Sequence, residues 1–283
     1  MTKSFDALRR DGAVALAAAG IEAAAREAEL LLRWASGLEA APLSARGNEP
    51  APEDAAARFA EGLAKRAARA PLSHVTGGRE FWGRRFVVTP DVLDPRPETE
   101  TLIAAALDAP EGATPHRALD LGVGSGAILG TILAELPEAT GLGVDASRAA
   151  LAVARANFEA LGVIDRATLK IGDWLDGLTE GFDLILCNPP YIPEAELEAL
   201  SPEVREHEPR LALTPGGDGL DAYRRIAPDL AAYLRRRGRA LFEIGAGQAD
   251  DVAAIFAAFG WPEPIRHLDM DGRERVLEWR RKA

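Results

Sequence analysis

Apolar positions in the first quarter of the chain recur at helical spacing. In IEAAAREAELLLRWASG, residues 21–37, Ile21, Ala24, Ala28, Leu31 and Leu32 share one face while charged residues take the other, the pattern of an amphipathic helix. Alanine, leucine and arginine keep that rhythm to about residue 70. A Gly- and Pro-containing loop interrupts it before Glu53 and Asp54, whose carboxylates suit the positive end of a new helix. A helical domain of three or four helices is predicted over residues 1–75.

The pattern then changes. In EFWGRRFVVTPDVL, residues 80–93, β-formers stand on both sides of Gly83, which predicts a short hairpin or extended linker joining two domains, placed at 76–95. From Arg117 onward short apolar runs alternate with helical stretches: RALDLGVG, AILGTILAELP, GLGVDAS, ALAVARANFEAL, ATLKIGD and FDLILCNPPY. Strands separated by helices of that length predict a parallel sheet with right-handed crossovers, because parallel neighbours need a long return path. A helix near 219–236, RALFEIGAG, a helix near 248–259, EPIRHLDM and RVLEWRRK complete a seven-stranded, doubly wound α/β sheet within a domain at 96–283. Its last two strands are close enough in sequence to be antiparallel neighbours.

Composition agrees with this picture and narrows it. At 283 residues the chain suits one large and one small domain, since single cores stop growing near about 250–300 residues. Its 47% hydrophobic content supports a packed core. No apolar run reaches the roughly 18–20 residues of a membrane span, and the first residues are helical and amphipathic without a signal peptide's core, so the cytoplasm is the expected compartment. The single cysteine, Cys187, and the unclustered His74, His116, His207 and His267 give no disulfide and no metal site. A net charge of −11 does not suit a protein that binds by neutralising many phosphates. Between Lys65 and Arg96 basic residues outnumber acids, so one local surface is open to an acidic partner or RNA unless it is simply solvated.

The candidate chemistry sits at strand ends. Gly122, Val123, Gly124, Ser125 and Gly126 follow a strand and open a helix, where glycines let the backbone turn tightly and approach a ligand. The spacing differs from the dinucleotide G-x-G-x-x-G and suits a cofactor without phosphates. Asp145, at the next strand end and roughly 20 residues on, can accept both hydroxyls of a ribose. Asp173 and Trp174, after the third strand, offer a carboxylate to an adenine amino group and an indole to its ring. An adenosine-bearing cofactor is indicated by the set of three.

The fourth strand, FDLILC, ends at Asn188, Pro189, Pro190 and Tyr191. The prolines remove two donors and stiffen the loop, so the segment presents carbonyl acceptors together with the Asn188 side-chain oxygen and no nucleophile. Two such acceptors fit a planar NH2 group, fixing its nitrogen and aiming its lone pair at a sulfonium methyl; Tyr191 can wall one face of a flat substrate. Methyl transfer from S-adenosyl-L-methionine to nitrogen is the expected reaction.

Over nearly its whole length the chain resembles the bacterial release-factor glutamine N5-methyltransferases of the HemK/PrmC type. The resemblance rests on AREAELLL, PLSHVTGGREFWGRRFVVTPDVLDPRPETE, DLGVGSGAI, GVDAS, IGDW, NPPY, EHEPRLALTPGGDGLDAYRRI, FEIGAGQ and DMDGRERV. It implies a class I methyltransferase Rossmann-like sheet and a substrate glutamine in the Gly-Gly-Gln loop of class I peptide chain release factors. It also implies contact of Gly122 to Gly126, Asp145, Trp174 and Asn188 with S-adenosyl-L-methionine, and of Asn188 to Tyr191 with the glutamine. Arg96, Pro97, Glu98 and Thr99 would line the cleft mouth, and the helical domain would grip the release factor away from the reacting loop. Asp94, where the family usually has an apolar residue, and His74, where a tyrosine is expected, depart from the pattern. Rival readings are glutamine methylation of a ribosomal protein and adenine-N6 or cytosine-N4 methylation of nucleic acid, since a base amino group is also planar.

Overall fold

The computed structural model describes residues 3–109 and 115–282, so the first two residues, the last one and 110–114 within the predicted domains lie outside it. The chain divides into two compact units: residues 1–78 with 201–207, and residues 79–200 with 208–283.

The helical unit contains α1 (Phe5–Ala18), α2 (Ala24–Ser36), α3 (Ala40–Ala45), α4 (Glu53–Ala67) and α5 (Leu72–Thr76). That is more than the three or four expected, because α3 and α5 are too short for periodicity to register. Ser4 caps α1 through its side chain, Gly37 ends α2 in the left-handed conformation at φ 68°, and Glu53 and Asp54 stand in the first turn of α4 as their charge predicts. Ala28, Leu31 and Leu32 of the predicted apolar face are buried with Phe5, Leu16 and Phe59, each large side chain contributing about 1.5–3 kcal/mol on burial. Residues 201–207, a distant stretch of sequence, join this unit through charge. Arg66, 5% exposed, pairs with Glu27 at 2.5 Å and Glu203 at 2.8 Å, and Arg69 reaches Glu203 at 2.8 Å.

The larger unit begins with an antiparallel hairpin, β1 (Arg79–Phe81) and β2 (Arg84–Phe86). The hairpin expected from the sequence belongs to this unit rather than standing as a separate linker. Phe81 and Phe86 are buried in its core, Trp82 N–H donates to Glu100 at 2.8 Å, and Val87 exchanges hydrogen bonds with the Asn157 amide.

After α6 (Glu100–Leu107) the chain runs β3 (Arg117–Leu121), α7 (Ala127–Glu135), β4 (Thr140–Asp145), α8 (Arg148–Ala160), β5 (Ala167–Ile171) and β6 (Phe182–Cys187). Then follow α9 (Pro202–His207), which belongs to the helical unit, α10 (Arg210–Leu213), α11 (Asp221–Ile226) and α12 (Leu230–Tyr233). The chain closes with β7 (Leu234–Glu243), α13 (Ala249–Ala257), β8 (Ile265–Leu268) and β9 (Glu274–Arg280). The single helix expected near 219–236 is therefore two short helices, and β7 starts earlier than its apolar run suggests, through the exposed Arg235–Arg237, which the pairing with β6 passes over irregularly.

The seven strands are ordered β5-β4-β3-β6-β7-β9-β8, parallel except for β9 against β7 and β8. The chain leaves β3 toward β5 and returns to β6 on β3's other side, so the carboxyl ends of β3 and β6 flank the switch point where such sheets bind ligands. Among the described residues no helix is long and apolar enough to cross a membrane.

Candidate active site

A cavity of about 510 Å³ opens at that switch point, within the roughly 300–1,000 Å³ usual for small-molecule sites. Its walls come from the carboxyl ends of β3, β4, β5 and β6.

Gly122, Val123, Gly124 and Ser125 line it from the turn after β3. Gly122 has φ 75°, and a Cβ there would stand 3.7 Å from the Trp174 ring and 4.0 Å from the Asn188 carbonyl oxygen, inside the cradle. Gly126 does not line the cavity. It caps α7 at φ 79°, where a Cβ would lie 2.6 Å from Phe158, so its bare Cα serves helix packing.

Asp145 ends β4 at the cavity wall and accepts from Gly124 N–H and Ser147 N–H, both at 2.8 Å, one on each oxygen. A carboxylate with about four lone-pair directions keeps acceptor capacity on both oxygens for a diol. Asp173 and Trp174 stand at the cavity's far end; Trp174 packs against the core at φ 50°, and Asp173 is exposed with Arg225 at 3.6 Å.

Asn188 also lines the cavity. Its side-chain nitrogen donates to the Thr99 hydroxyl at 3.2 Å, which leaves its oxygen as the free end of the amide. Pro190 lines the cavity, whereas Pro189 is buried behind it. Tyr191 is also outside the lining: its ring packs against the core and its hydroxyl points to Glu243 at 3.4 Å, a buried setting that raises its pKa. Gln248 donates to the Tyr191 carbonyl at 2.9 Å, so that carbonyl is already engaged.

Of the PRPETE segment, Pro95, Arg96 and Thr99 line the cavity, Thr99 being 3% exposed, while Pro97 and Glu98 are exposed and lie outside it. One guanidinium nitrogen of Arg96 donates to both carboxylate oxygens of Glu208, at 2.7 and 2.8 Å. Burial pushes the Glu208 carboxyl above its ordinary range even so. The unusual Asp94 is buried and answered by Arg79 at 3.0 Å. His74 stands in α5, in the helical unit. The basic run is not a free patch: Lys65, Arg66, Arg69, Arg79, Arg84 and Arg96 each pair with a carboxylate of their own unit.

Three features escaped the sequence reading. Pro209, Leu211, Ala212, Thr214 and Pro215 form the cavity's apolar rim; their Pro-rich stretch after NPPY was the available signal. Asp120, wholly buried under the glycine turn, accepts from Leu129 N–H at 3.2 Å, and burial pushes its carboxyl up to about 8. Glu243 at the end of β7 is also wholly buried and pushed up to about 7 by burial. Both stand in segments the sequence singles out, Asp120 as the acid before the glycine turn and Glu243 in FEIGAGQ, but their complete burial has no sequence signal. Among the described residues no His, Cys, Asp and Glu group is placed to hold a metal ion.

The sheet order and the cavity at its switch point are those of the methyltransferase fold. Residues 94–218 match the methyltransferase small domain and residues 7–77 the PrmC N-terminal domain. A methyltransferase from Pyrococcus furiosus shares the fold at TM-score 0.51 and 14% identity, over 80% of this chain and 98% of that one. The release factor glutamine methyltransferase of Cereibacter sphaeroides is 52% identical over 281 residues, 99% of each chain. That of Caulobacter vibrioides is 43% identical over 260 residues, 92% of this chain and 90% of its own. The chain belongs to the release factor glutamine methyltransferase family.

Proposed function

We propose that this chain transfers a methyl group from S-adenosyl-L-methionine to the side-chain amide nitrogen, N5, of the glutamine in the Gly-Gly-Gln loop of class I peptide chain release factors, leaving S-adenosyl-L-homocysteine. The observation that carries this reading is the Asn188 amide, whose nitrogen is committed to Thr99 so that its oxygen remains as an acceptor at the cavity wall. Release factors work in the cytoplasm, where the reaction belongs.

The residues present fit the cofactor. Gly122 leaves space that a Cβ would fill, Asp145 keeps acceptor capacity toward a diol, and Trp174 and Asp173 suit an adenine. When bound, S-adenosyl-L-methionine supplies an electrophilic methyl group on a sulfonium sulfur. The work left to the protein is orientation. Asn188 Oδ1 and a backbone carbonyl of the proline pair each take one N–H of the glutamine amide, which draws its nitrogen out of conjugation with the carbonyl. Holding reactants in line is worth up to roughly 7–11 kcal/mol in favourable cases. The same acceptors stabilise positive charge as it builds on nitrogen, and the methylated nitrogen, made acidic by that charge, then loses one N–H proton to solvent without a dedicated base. Pro209, Leu211 and Pro215 add apolar surface to the cavity lining. Release-factor grip falls to the helical unit, whose remote binding energy would position one amide.

The test is transfer of labelled methyl to purified release factor, with a factor whose loop glutamine is replaced and with DNA, RNA and ribosomal protein as rivals. Label should appear on the intact factor alone; label on the altered factor or on a rival would overturn the reading.

A further inference from the structure

We propose that Gln248 is a positioning residue: its amide pins the Tyr191–Ile192 peptide, fixes the far end of the Asn188–Tyr191 loop and so keeps the loop's acceptors aimed at the substrate nitrogen. The inference rests on the methyl-transfer reading for its kinetic arm only.

Pro189 and Pro190 have no N–H, so the loop cannot be held through backbone donors at its centre. It is held at its two ends instead. The near end belongs to the sheet, where Cys187 of β6 pairs with Phe242 of β7. The far end is fastened by a side chain. Gln248 Nε2 donates to the Tyr191 carbonyl at 2.9 Å, and the other pole of the same peptide, Ile192 N–H, donates to the Leu213 carbonyl at 3.0 Å. Phe242 and Gln248 are the first and last residues of FEIGAGQ, so this one segment brackets the loop. Pro190, which lines the cavity, stands one residue before the pinned peptide.

The chemistry of its two partners fixes which way the Gln248 amide faces. Oε1 accepts from Gly245 N–H at 2.9 Å while Nε2 meets a carbonyl; turning the amide over would set donor against donor and acceptor against acceptor. Gly245 makes the approach possible. A Cβ there would stand 2.7 Å from Gln248 Oε1 and 3.1 Å from the Tyr191 ring. Gln248 does not line the candidate active site. With Pro193 and Asp218 it lines a separate hollow of about 390 Å³ that shares no lining residue with the first cavity. It therefore acts through the loop and not on the reacting atoms.

The experiment compares Gln248→Met, Gln248→Glu and Gln248→Lys in the full chain, reading kcat and KM with release factor, cofactor Kd, melting temperature and the Tyr191–Ile192 peptide signal by NMR. Tyr191–Ile192 is the single Tyr–Ile step in the sequence, so selective isotope labelling of tyrosine carbonyl carbon and isoleucine nitrogen isolates that peptide. The Glu and Lys variants each keep a different half of the clamp. Glu retains the acceptor for Gly245 but sets an oxygen against the Tyr191 carbonyl, whereas Lys retains a donor for Tyr191 and gives up the Gly245 bond. Met and Glu should lower kcat by about 10²-fold, the scale of a misplacement of about 1 Å, and shift the peptide signal, with KM and cofactor Kd within a few-fold. Lys should keep kcat within a few-fold of wild type and the signal near its wild-type position. The opposite order, with Glu active and Lys impaired, would show that Gln248 serves only its own turn and would overturn the proposal. An unmoved peptide signal or wild-type kcat in folded Gln248→Met would overturn it as well; should Met fail to fold, the Glu and Lys pair decides. The NMR arm needs neither substrate nor cofactor. A wild-type protein that fails to label release factor would thus sink the methyl-transfer reading while the anchoring of the loop is decided independently.

Discussion

The backbone N–H of Gly124 donates to Asp145 Oδ2 at 2.8 Å, so the turn after β3 and the end of β4 form one hydrogen-bonded edge of the cavity. Asp145 thus has two tasks, holding the glycine turn in shape and offering its remaining lone pairs to a ligand. Asp145→Ala should weaken S-adenosyl-L-methionine binding by about 10–100-fold, since charge-assisted hydrogen bonds are worth about 1.5–3 kcal/mol. Titration calorimetry checks this, and an unchanged Kd would remove Asp145 from the cofactor site.

Asn188→Ala separates binding from chemistry. Removing one acceptor of the amide should cost about 10²–10³-fold in kcat, by analogy with loss of one oxyanion-hole group, while cofactor Kd stays within a few-fold. Turnover at the wild-type rate would take Asn188 out of the reaction.

Gly219, in the GGDGL segment, adopts φ 84°, and a Cβ there would overlap the Tyr191 carbonyl oxygen and stand 3.0 Å from Pro193 N. The close approach explains why a glycine cluster far along the chain accompanies the NPPY loop. Gly219→Ala should lower stability by about 1–3 kcal/mol and reduce kcat by displacing that loop. Gly272→Ala is the control: it shares a positive φ, 78°, but meets nothing within 4 Å. It should cost only the left-handed strain of about 1–2 kcal/mol, with kcat preserved. Equal kcat losses in both would refute the packing argument.

Asp120 makes stability depend on pH in a direction unusual for an acid. Burial raises its folded pKa from 3.8 to about 8, so the folded state favours the protonated form. Its contribution is fully present below about pH 4 and is lost as pH rises toward and through about 8. Asp120→Asn should flatten the fall in melting temperature between about pH 4 and pH 8. A variant with the wild-type slope would assign that fall to other groups.

Much of this was legible in the chain itself. Helical periodicity, the strand–helix alternation after Arg117 and the glycine turn before α7 are local signals, written within one turn or one strand. The acceptor character of NPPY likewise follows from the missing donors of two prolines. Gly126 shows the limit: it belongs to the glycine run by spacing, yet its neighbour is Phe158 of α8, not the cavity. Tyr191 shows it again, its hydroxyl pointing to Glu243 and its ring outside the lining.

The sequence by itself determined the longer elements, the fold class and the kind of atom the site offers, because hydrophobic period, glycine and proline act on their own neighbourhoods. Only the tertiary structure decided how those atoms are aimed. Thr99 stands 89 residues from Asn188 in the chain yet meets its amide, and β7 is set beside β6, bringing Glu243 to the Tyr191 hydroxyl. Hydrogen-bond direction depends on which donor meets which acceptor in space, and burial alone separates Asp120 and Glu243 from solvated acids of the same type. Neither quantity has a one-dimensional signature.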